Sequence, residues 1–120
     1  PVDTALMGLF SPSGKANTGH ALEAVVLHTL NRRGAEVSYV RTPNGFEVDF
    51  YAQLPQGEEL LVQVCSDVSN AETLLREIRA LQDAQTLWPA ARAQLVVLFS
   101  PRQLALPRGI TLCIASEWLL

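Results

Sequence analysis

Lysine is almost absent from this chain: Lys15 is the only lysine, one of nine basic residues set against twelve acidic ones, for a net charge of −3. A domain that binds a phosphate backbone by itself usually carries a basic patch. The charge balance therefore argues against strong autonomous DNA binding. It leaves open a local cluster of arginines, or nucleic-acid contacts supplied by a partner domain.

Long apolar runs and cysteines are also scarce. No stretch of about 18 apolar residues occurs, so we expect no transmembrane helix and no membrane partner. No basic-then-apolar leader is visible, so no secretory signal is expected. The two cysteines, Cys65 and Cys113, lie in apolar strand-like runs, which favours buried reduced thiols and a cytoplasmic location. Because the chain opens at Pro1 rather than Met, we expect a fragment of a longer polypeptide or a processed chain.

The length of 120 residues fits a single domain spanning 1–120, with an irregular lead-in over 1–18. A first helix is predicted to begin near Thr18, capped by Thr18 or Asn17, and to end at Gly34. A second helix is predicted over about 71–84, and Ser116 is a candidate cap for a short terminal turn. Strands are predicted over 36–41, 46–53, 59–66, 94–99 and 110–114. The order α-β-β-β-α-β-β is typical of an α/β domain.

Alternation along the strands indicates which side chains share a face. In the second strand it sets Phe46, Val48, Phe50 and Ala52 on one face, with Asp49 on the other. The hairpin register can bring Asp49 next to Gln63 of the third strand. Together with a carbonyl near Val64, these oxygens form a plausible cradle for Mg²⁺, which prefers hard oxygen ligands.

Glu23 is predicted to complete this site. It lies at the edge of the apolar stripe of the first helix, so a helix packed on the sheet can aim its carboxylate at the same cluster. In a nuclease such a group binds a second metal or orients the attacking water. The candidate metal ligands are therefore Glu23, Asp49 and Gln63, and the same three residues are the candidate catalytic groups.

This arrangement resembles the PD-(D/E)XK nuclease superfamily over roughly residues 19–99. The resemblance implies a restriction-endonuclease-like α-β-β-β-α-β core, a mixed central sheet flanked by helices. That superfamily has an acidic residue on the first helix, an Asp on the second strand, and Glu or Gln, any residue, then Lys on the third. The matching positions are Glu23, Asp49 and Gln63-Val64-Cys65, so Cys65 stands at the lysine position.

A closer resemblance involves five strings: Gly19-His20-Ala21-Leu22-Glu23, Glu47-Val48-Asp49-Phe50, Gln63-Val64-Cys65, Arg76-Glu77-Ile78 with Ala80-Leu81, and Glu117-Trp118-Leu119-Leu120. They are similar to the C-terminal domain of a family of bacterial and archaeal AAA+-type ATPases. In that family the domain has no assigned function and follows a P-loop ATPase and a winged-helix region. The resemblance implies that the ATPase domain of a parent chain is a partner of this one.

The missing lysine bears on activity. In a nuclease of this type, the lysine stabilises charge that develops on the phosphate, and its loss costs on the order of 10² to 10³ in rate. Cys65 cannot supply a positive charge, and Lys15 is predicted to lie in the lead-in. Arg76 or Arg79 on the second helix is a possible basic substitute, and Arg76 is the preferred candidate.

Three functional hypotheses remain open. The first is a degenerate nuclease-like module, used for assembly, regulation or nucleic-acid contact. The second is an active Mg²⁺-dependent DNA nuclease with a relocated basic residue. The third is a structural domain that mediates homo-oligomerisation. No ATP site is expected within the chain, because Gly14-Lys15 lacks the rest of a phosphate-binding loop. His20 and His28 are two helical turns apart, too far for a compact metal pair, and no catalytic triad is evident.

Overall fold

The computed structural model of the chain describes residues 15–66, 68–99 and 105–119. Within these ranges the elements follow in the order α-β-β-β-α-β-β-α, which contains the predicted order. The helices are α1 (Lys15–Arg32), α2 (Ala71–Leu87) and α3 (Ala115–Trp118). The strands are β1 (Glu36–Arg41), β2 (Glu47–Gln53), β3 (Glu59–Cys65), β4 (Arg92–Val97) and β5 (Ile110–Ile114).

The described strands form one mixed sheet in the order β1-β2-β3-β4-β5. The first three strands are antiparallel neighbours, whereas β4 runs parallel to β3 and β5 runs parallel to β4. Parallel neighbours need a crossover connection, and α2 supplies it between β3 and β4. The prediction of an α/β domain is confirmed.

The sheet separates two apolar cores. The core under α1 contains the predicted helical stripe and the β3 side chains of one face, namely Leu22, Val25, Val26, Leu30, Leu60, Val62 and Val64. The core under α2 contains the side chains of the opposite face, among them Leu61, Cys65, Ile78, Leu81, Leu95 and Val97. Side chains of β3 therefore alternate between the two faces, and the two helices cover opposite faces of the sheet.

Several predicted boundaries are wrong. The first helix begins at Lys15, so residues 15–18 are helical and neither Thr18 nor Asn17 is its cap. The remaining lead-in, 1–14, lies outside the described residues. The fourth strand is Arg92–Val97 because its parallel register with β3 sets its length, from Leu60↔Arg92 to Cys65↔Val97. The last helix is preceded by Ile114 without a side-chain cap, so Ser116 does not cap it.

The C-terminal end of α1 contacts the last helix. Gly34 follows α1 with φ of 81°, a left-handed conformation that glycine adopts without steric cost. Arg33 then donates a hydrogen bond to the carbonyl of Trp118 at 2.8 Å, and its guanidinium lies 4.8 Å from the centre of that ring. Trp118 in turn donates through Nε1 to Gln94 at 2.9 Å. Trp118 is itself part of the core under α1. None of the described helices is long and apolar enough to cross a membrane.

Candidate functional site

A β-bulge in β2 determines where Asp49 lies. Ser38 is opposite Tyr51 and Val40 is opposite Val48, so Tyr39 alone faces two β2 residues, Asp49 and Phe50. An extra residue of this kind bends a strand and breaks its alternation. The bulge thus changes the direction of the chain at the residue that the sequence singled out.

The bulge also corrects the predicted faces of β2. Phe50 and Ala52 pack in the core under α1, whereas Val48 belongs to the core under α2 and Phe46 packs against it. These side chains therefore do not share one face. Alternation places residues correctly only while the strand stays regular, and Asp49 lies at the point where it does not.

Asp49 and Gln63 continue the pairing of β2 and β3 beyond the regular ladder, which ends at Phe50↔Val62. The Asp49 N–H donates to Gln63 Oε1 at 2.7 Å, and Gln63 Nε2 donates to the carbonyl of Glu47 at 3.1 Å. The Val64 N–H donates to Asp49 Oδ2 at 2.8 Å. Side chains thus satisfy backbone groups that strand pairing would otherwise satisfy. We call this set the β2–β3 junction. The predicted proximity of Asp49 and Gln63 is confirmed.

Burial and neighbouring carboxylates act on the Asp49 carboxyl. Burial raises the pKa of Asp49 from its ordinary value of 3.8 to about 7. The Val64 hydrogen bond opposes this rise in pKa, while the negative charges of Glu23, Glu77 and Glu47 add to it. Near neutral pH, Asp49 is therefore divided between its protonated and ionised forms. The charge of Glu23 therefore acts on Asp49.

Glu77 on α2 is an acidic residue of this region that is not among the predicted site residues. Burial raises the pKa of Glu77, and the charge of Glu23 raises it further. The charge of Arg76 and a hydrogen bond with the Gln63 side chain oppose that rise. A usable signal was present: Glu77 lies four residues before Leu81 and next to Ile78, at the edge of a buried stripe, as Glu23 does on α1.

Glu77 lines two of the clefts that open beside the junction. One cleft of about 450 Å³ is bordered by Asp49, Gln63, Glu77 and the exposed Arg76. The other, of about 230 Å³, is bordered by Glu23, Glu77 and residues between the end of β3 and the first turn of α2, among them Cys65, Ser66, Asn70 and Thr73. Glu23 and Asp49 thus open into different clefts. Arg76 reaches the cleft of Asp49, whereas Arg79 does not border it.

Cys65, at the position of the nuclease lysine, is a core residue. Its side chain is 4% exposed and belongs to the apolar cluster under α2, with Ile78 and Val97. Its predicted burial is therefore confirmed, and Cys113 is half-buried. A thiol in this environment cannot stabilise negative charge on a phosphate, because it carries no positive charge.

The geometry is a poor fit to the expected magnesium site. Mg²⁺ requires near-octahedral oxygen coordination. Gln63 is 3% exposed, its Oε1 accepts the Asp49 N–H, and Asp49 Oδ2 accepts the Val64 N–H. Among the described residues, no group of three or more His, Cys, Asp or Glu side chains is arranged to hold a metal ion. His20 and His28 are both exposed on α1. The arrangement is suited to holding two diverging strands together.

Comparison with known proteins adds no relative. No family model matches the sequence, no curated protein matches it, and no solved structure matches its fold. The function must therefore be argued from the chain's own residues.

Proposed function

We propose that the chain is a restriction-endonuclease-like domain that has lost nuclease chemistry, the C-terminal domain of an AAA+ ATPase, used for assembly or regulation of its parent protein or for contact with nucleic acid. The element order supports this proposal: α1 precedes an antiparallel β1–β2–β3 unit, and α2 then crosses to the parallel β4. The proposal also draws on the resemblance of the sequence to that family.

One observation carries the loss of chemistry. The lysine position is occupied by Cys65, whose side chain lies in the apolar core. The two residues that the superfamily pattern assigns to metal binding, Asp49 and Gln63, are hydrogen-bonded to the backbone of the opposite strand. We therefore expect Asp49 and Gln63 to be retained because they form the β2–β3 junction. A bulged strand needs such polar side chains, and an apolar pair could not provide these hydrogen bonds.

A DNA-cleavage assay tests this proposal. The chain is incubated with plasmid and with single-stranded DNA in Mg²⁺ or Mn²⁺, beside an Asp49→Asn variant prepared in parallel. We expect the two proteins to cleave equally little, at the level of a shared contaminant. Metal-dependent cleavage by the unmodified chain that disappears in Asp49→Asn would overturn the proposal.

A second candidate function is an active Mg²⁺-dependent nuclease in which Arg76 replaces the lysine. The observation in its favour is that Arg76 borders the same cleft as Asp49 and Gln63. Arg79, also exposed on α2 but outside that cleft, offers a matched control. If this candidate holds, Arg76→Ala lowers cleavage by about 10² or more while Arg79→Ala leaves it unchanged. Equal activity of the two variants rejects it.

A further inference from the structure

The turn between β1 and β2 carries the one Asn-Gly pair of the chain. Asn44 and Gly45 are both exposed. Residues that have side chains follow the other asparagines, Asn17, Asn31 and Asn70. Gly45 has φ of 88°, and an added Cβ there would meet no described atom within 4 Å. Because glycine has no side chain, its backbone nitrogen can approach the side chain of the preceding asparagine without steric hindrance.

A hydrogen bond ties this turn to α2. Asn44 Nδ2 donates to Asp83 Oδ1 at 2.8 Å. The second carboxylate oxygen, Asp83 Oδ2, is buried and has no hydrogen-bond partner among the described residues. Gly45 and Phe46, which follow Asn44, border the cleft of Asp49, and so do residues of α2. The side-chain amide of Asn44 therefore links the β1–β2 turn to α2 beside this cleft.

We propose that Asn44 is a deamidation site and that its reaction releases the β1–β2 turn from α2. The backbone nitrogen of Gly45 attacks the side-chain Cγ of Asn44, and a succinimide ring forms as the Cγ–Nδ2 bond breaks. The Gly45 proton passes through water to the departing nitrogen, which leaves as ammonia. Water then adds to one of the two ring carbonyls and breaks its bond to the ring nitrogen. The product is an aspartate or an isoaspartate, and the inference does not depend on the proposed function.

Asp83 controls the rate of this reaction. Its hydrogen bond to Nδ2 holds the Asn44 side chain toward α2. The Gly45 N–H is also engaged, because it donates to the carbonyl of Thr42 at 2.9 Å. Ring closure requires the Asn44 side chain and the Gly45 nitrogen to leave these partners and turn toward each other. One net hydrogen bond corresponds to a factor of about five in such an equilibrium, so deamidation is about fivefold faster without the contact to Asp83.

Either product weakens the link to α2. An aspartate at position 44 places a carboxylate oxygen where the amide nitrogen stood, against the carboxylate of Asp83, and like charges at this distance repel. An isoaspartate adds one carbon to the backbone of a turn that Thr42 and Phe46 close with hydrogen bonds of 2.8 and 3.1 Å. Because the ammonia is lost to solution, the turn stays released once the reaction has occurred.

Peptide mapping by mass spectrometry tests the site. The folded chain is incubated for days to weeks at mildly alkaline pH, and each asparagine is followed by the mass increase that accompanies conversion of its amide to an acid. We expect Asn44 to yield both aspartate and isoaspartate, while Asn70, which is also exposed, stays largely intact. Equal rates at Asn44 and Asn70 would overturn the inference.

Two variants of Asp83 test its control of the rate. Asp83→Ala should speed deamidation of Asn44 by about fivefold. Asp83→Asn is the matched control and should leave the rate unchanged, because its side-chain carbonyl still accepts from Asn44 Nδ2. Equal rates in the unmodified chain and in Asp83→Ala would contradict this control.

Asn44→Asp tests the release of the turn, because it reproduces the aspartate product directly. We expect faster hydrogen–deuterium exchange at the N–H groups of Thr42 and Phe46 than in the unmodified chain. Adding Asp83→Asn removes the repulsion and supplies an amide that donates to the new carboxylate, so exchange should slow again. Unchanged exchange of these two groups in Asn44→Asp would contradict the release, and circular dichroism of each variant verifies that the fold is retained.

Discussion

The Asp49 carboxyl makes stability depend on pH in a direction that is unusual for an acidic residue. Folding raises the pKa of Asp49 from 3.8 to about 7, chiefly by burial, so the folded chain holds this proton more tightly than the unfolded chain does. Stability from this group is greatest at acid pH and falls as the pH rises from 3.8 to about 7. At about 1.4 kcal/mol per pH unit the full effect is about 4 kcal/mol, which solvent access and relaxation reduce to about 2 kcal/mol.

Asp49→Asn removes this dependence. The asparagine stays neutral at every pH, and its side-chain carbonyl can still accept the Val64 N–H. We therefore expect the variant to exceed the unmodified chain in unfolding free energy by about 2 kcal/mol near pH 8, with the advantage shrinking toward pH 5. Urea unfolding followed by tryptophan fluorescence measures both proteins across this range. A difference in stability that is the same at pH 5 and pH 8 would refute the assignment of a raised pKa to Asp49.

A pair of glutamates on α2 supplies the control for that experiment. The charge of Glu77 contributes to the raised pKa of Asp49, whereas Glu72 in the first turn of α2 is exposed and is not among the neighbouring charges that raise it. Glu77→Gln should therefore flatten the decline in stability above pH 5, and Glu72→Gln should leave it unchanged.

Three further predictions concern single contacts. Gln63→Leu leaves the Asp49 N–H and the Glu47 carbonyl without this partner and should lower the unfolding free energy by about 1–3 kcal/mol, measured in urea near pH 6. Gly34→Ala should lower the unfolding free energy by about 1 kcal/mol or more in the same assay, since φ is 81° and the added Cβ would lie 3.1 Å from Pro55 Cγ. An unchanged unfolding free energy would mean that the turn relaxes to accept the alanine. Arg33→Ala should release α3, seen as faster amide exchange near Trp118 and a loss of about 0.5–1 kcal/mol, whereas Arg32→Ala should not.

Regular segments of the fold could be predicted because local patterns determine them. The apolar stripe of α1 and the left-handed Gly34 follow from helical periodicity and from the steric freedom of glycine. The extents of β1 and β5 match the prediction because turn residues lie close to these strands in the sequence. The extent of β4 could not be predicted, since its ends are set by pairing with a strand that lies far away in the sequence.

The sequence predicts most residues of the candidate site, but not what those residues do there. The proximity of Asp49 and Gln63 follows from the hairpin, and the edge position of Glu23 follows from its helix. The bulge at Asp49 is a tertiary feature, and it changes which side chains share a face. Gln63 bonds backbone groups of β2 because the two strands diverge at this point, and the periodicity of the sequence does not show where strands diverge. Glu77 was missed although it lies at the edge of the buried stripe of α2, as Glu23 does on α1, so the same argument could have identified it.

The most direct test of a structural rather than catalytic junction is Mn²⁺ binding, measured by electron paramagnetic resonance of the free ion near pH 8. At that pH, above the Asp49 pKa of about 7, the carboxylate is ionised and competes best for a cation. Because the Asp49 and Gln63 oxygens are hydrogen-bonded across the strands, we predict the same weak, non-saturating uptake for the unmodified chain and for Asp49→Asn. Saturable binding of one ion per chain that Asp49→Asn abolishes would contradict this account.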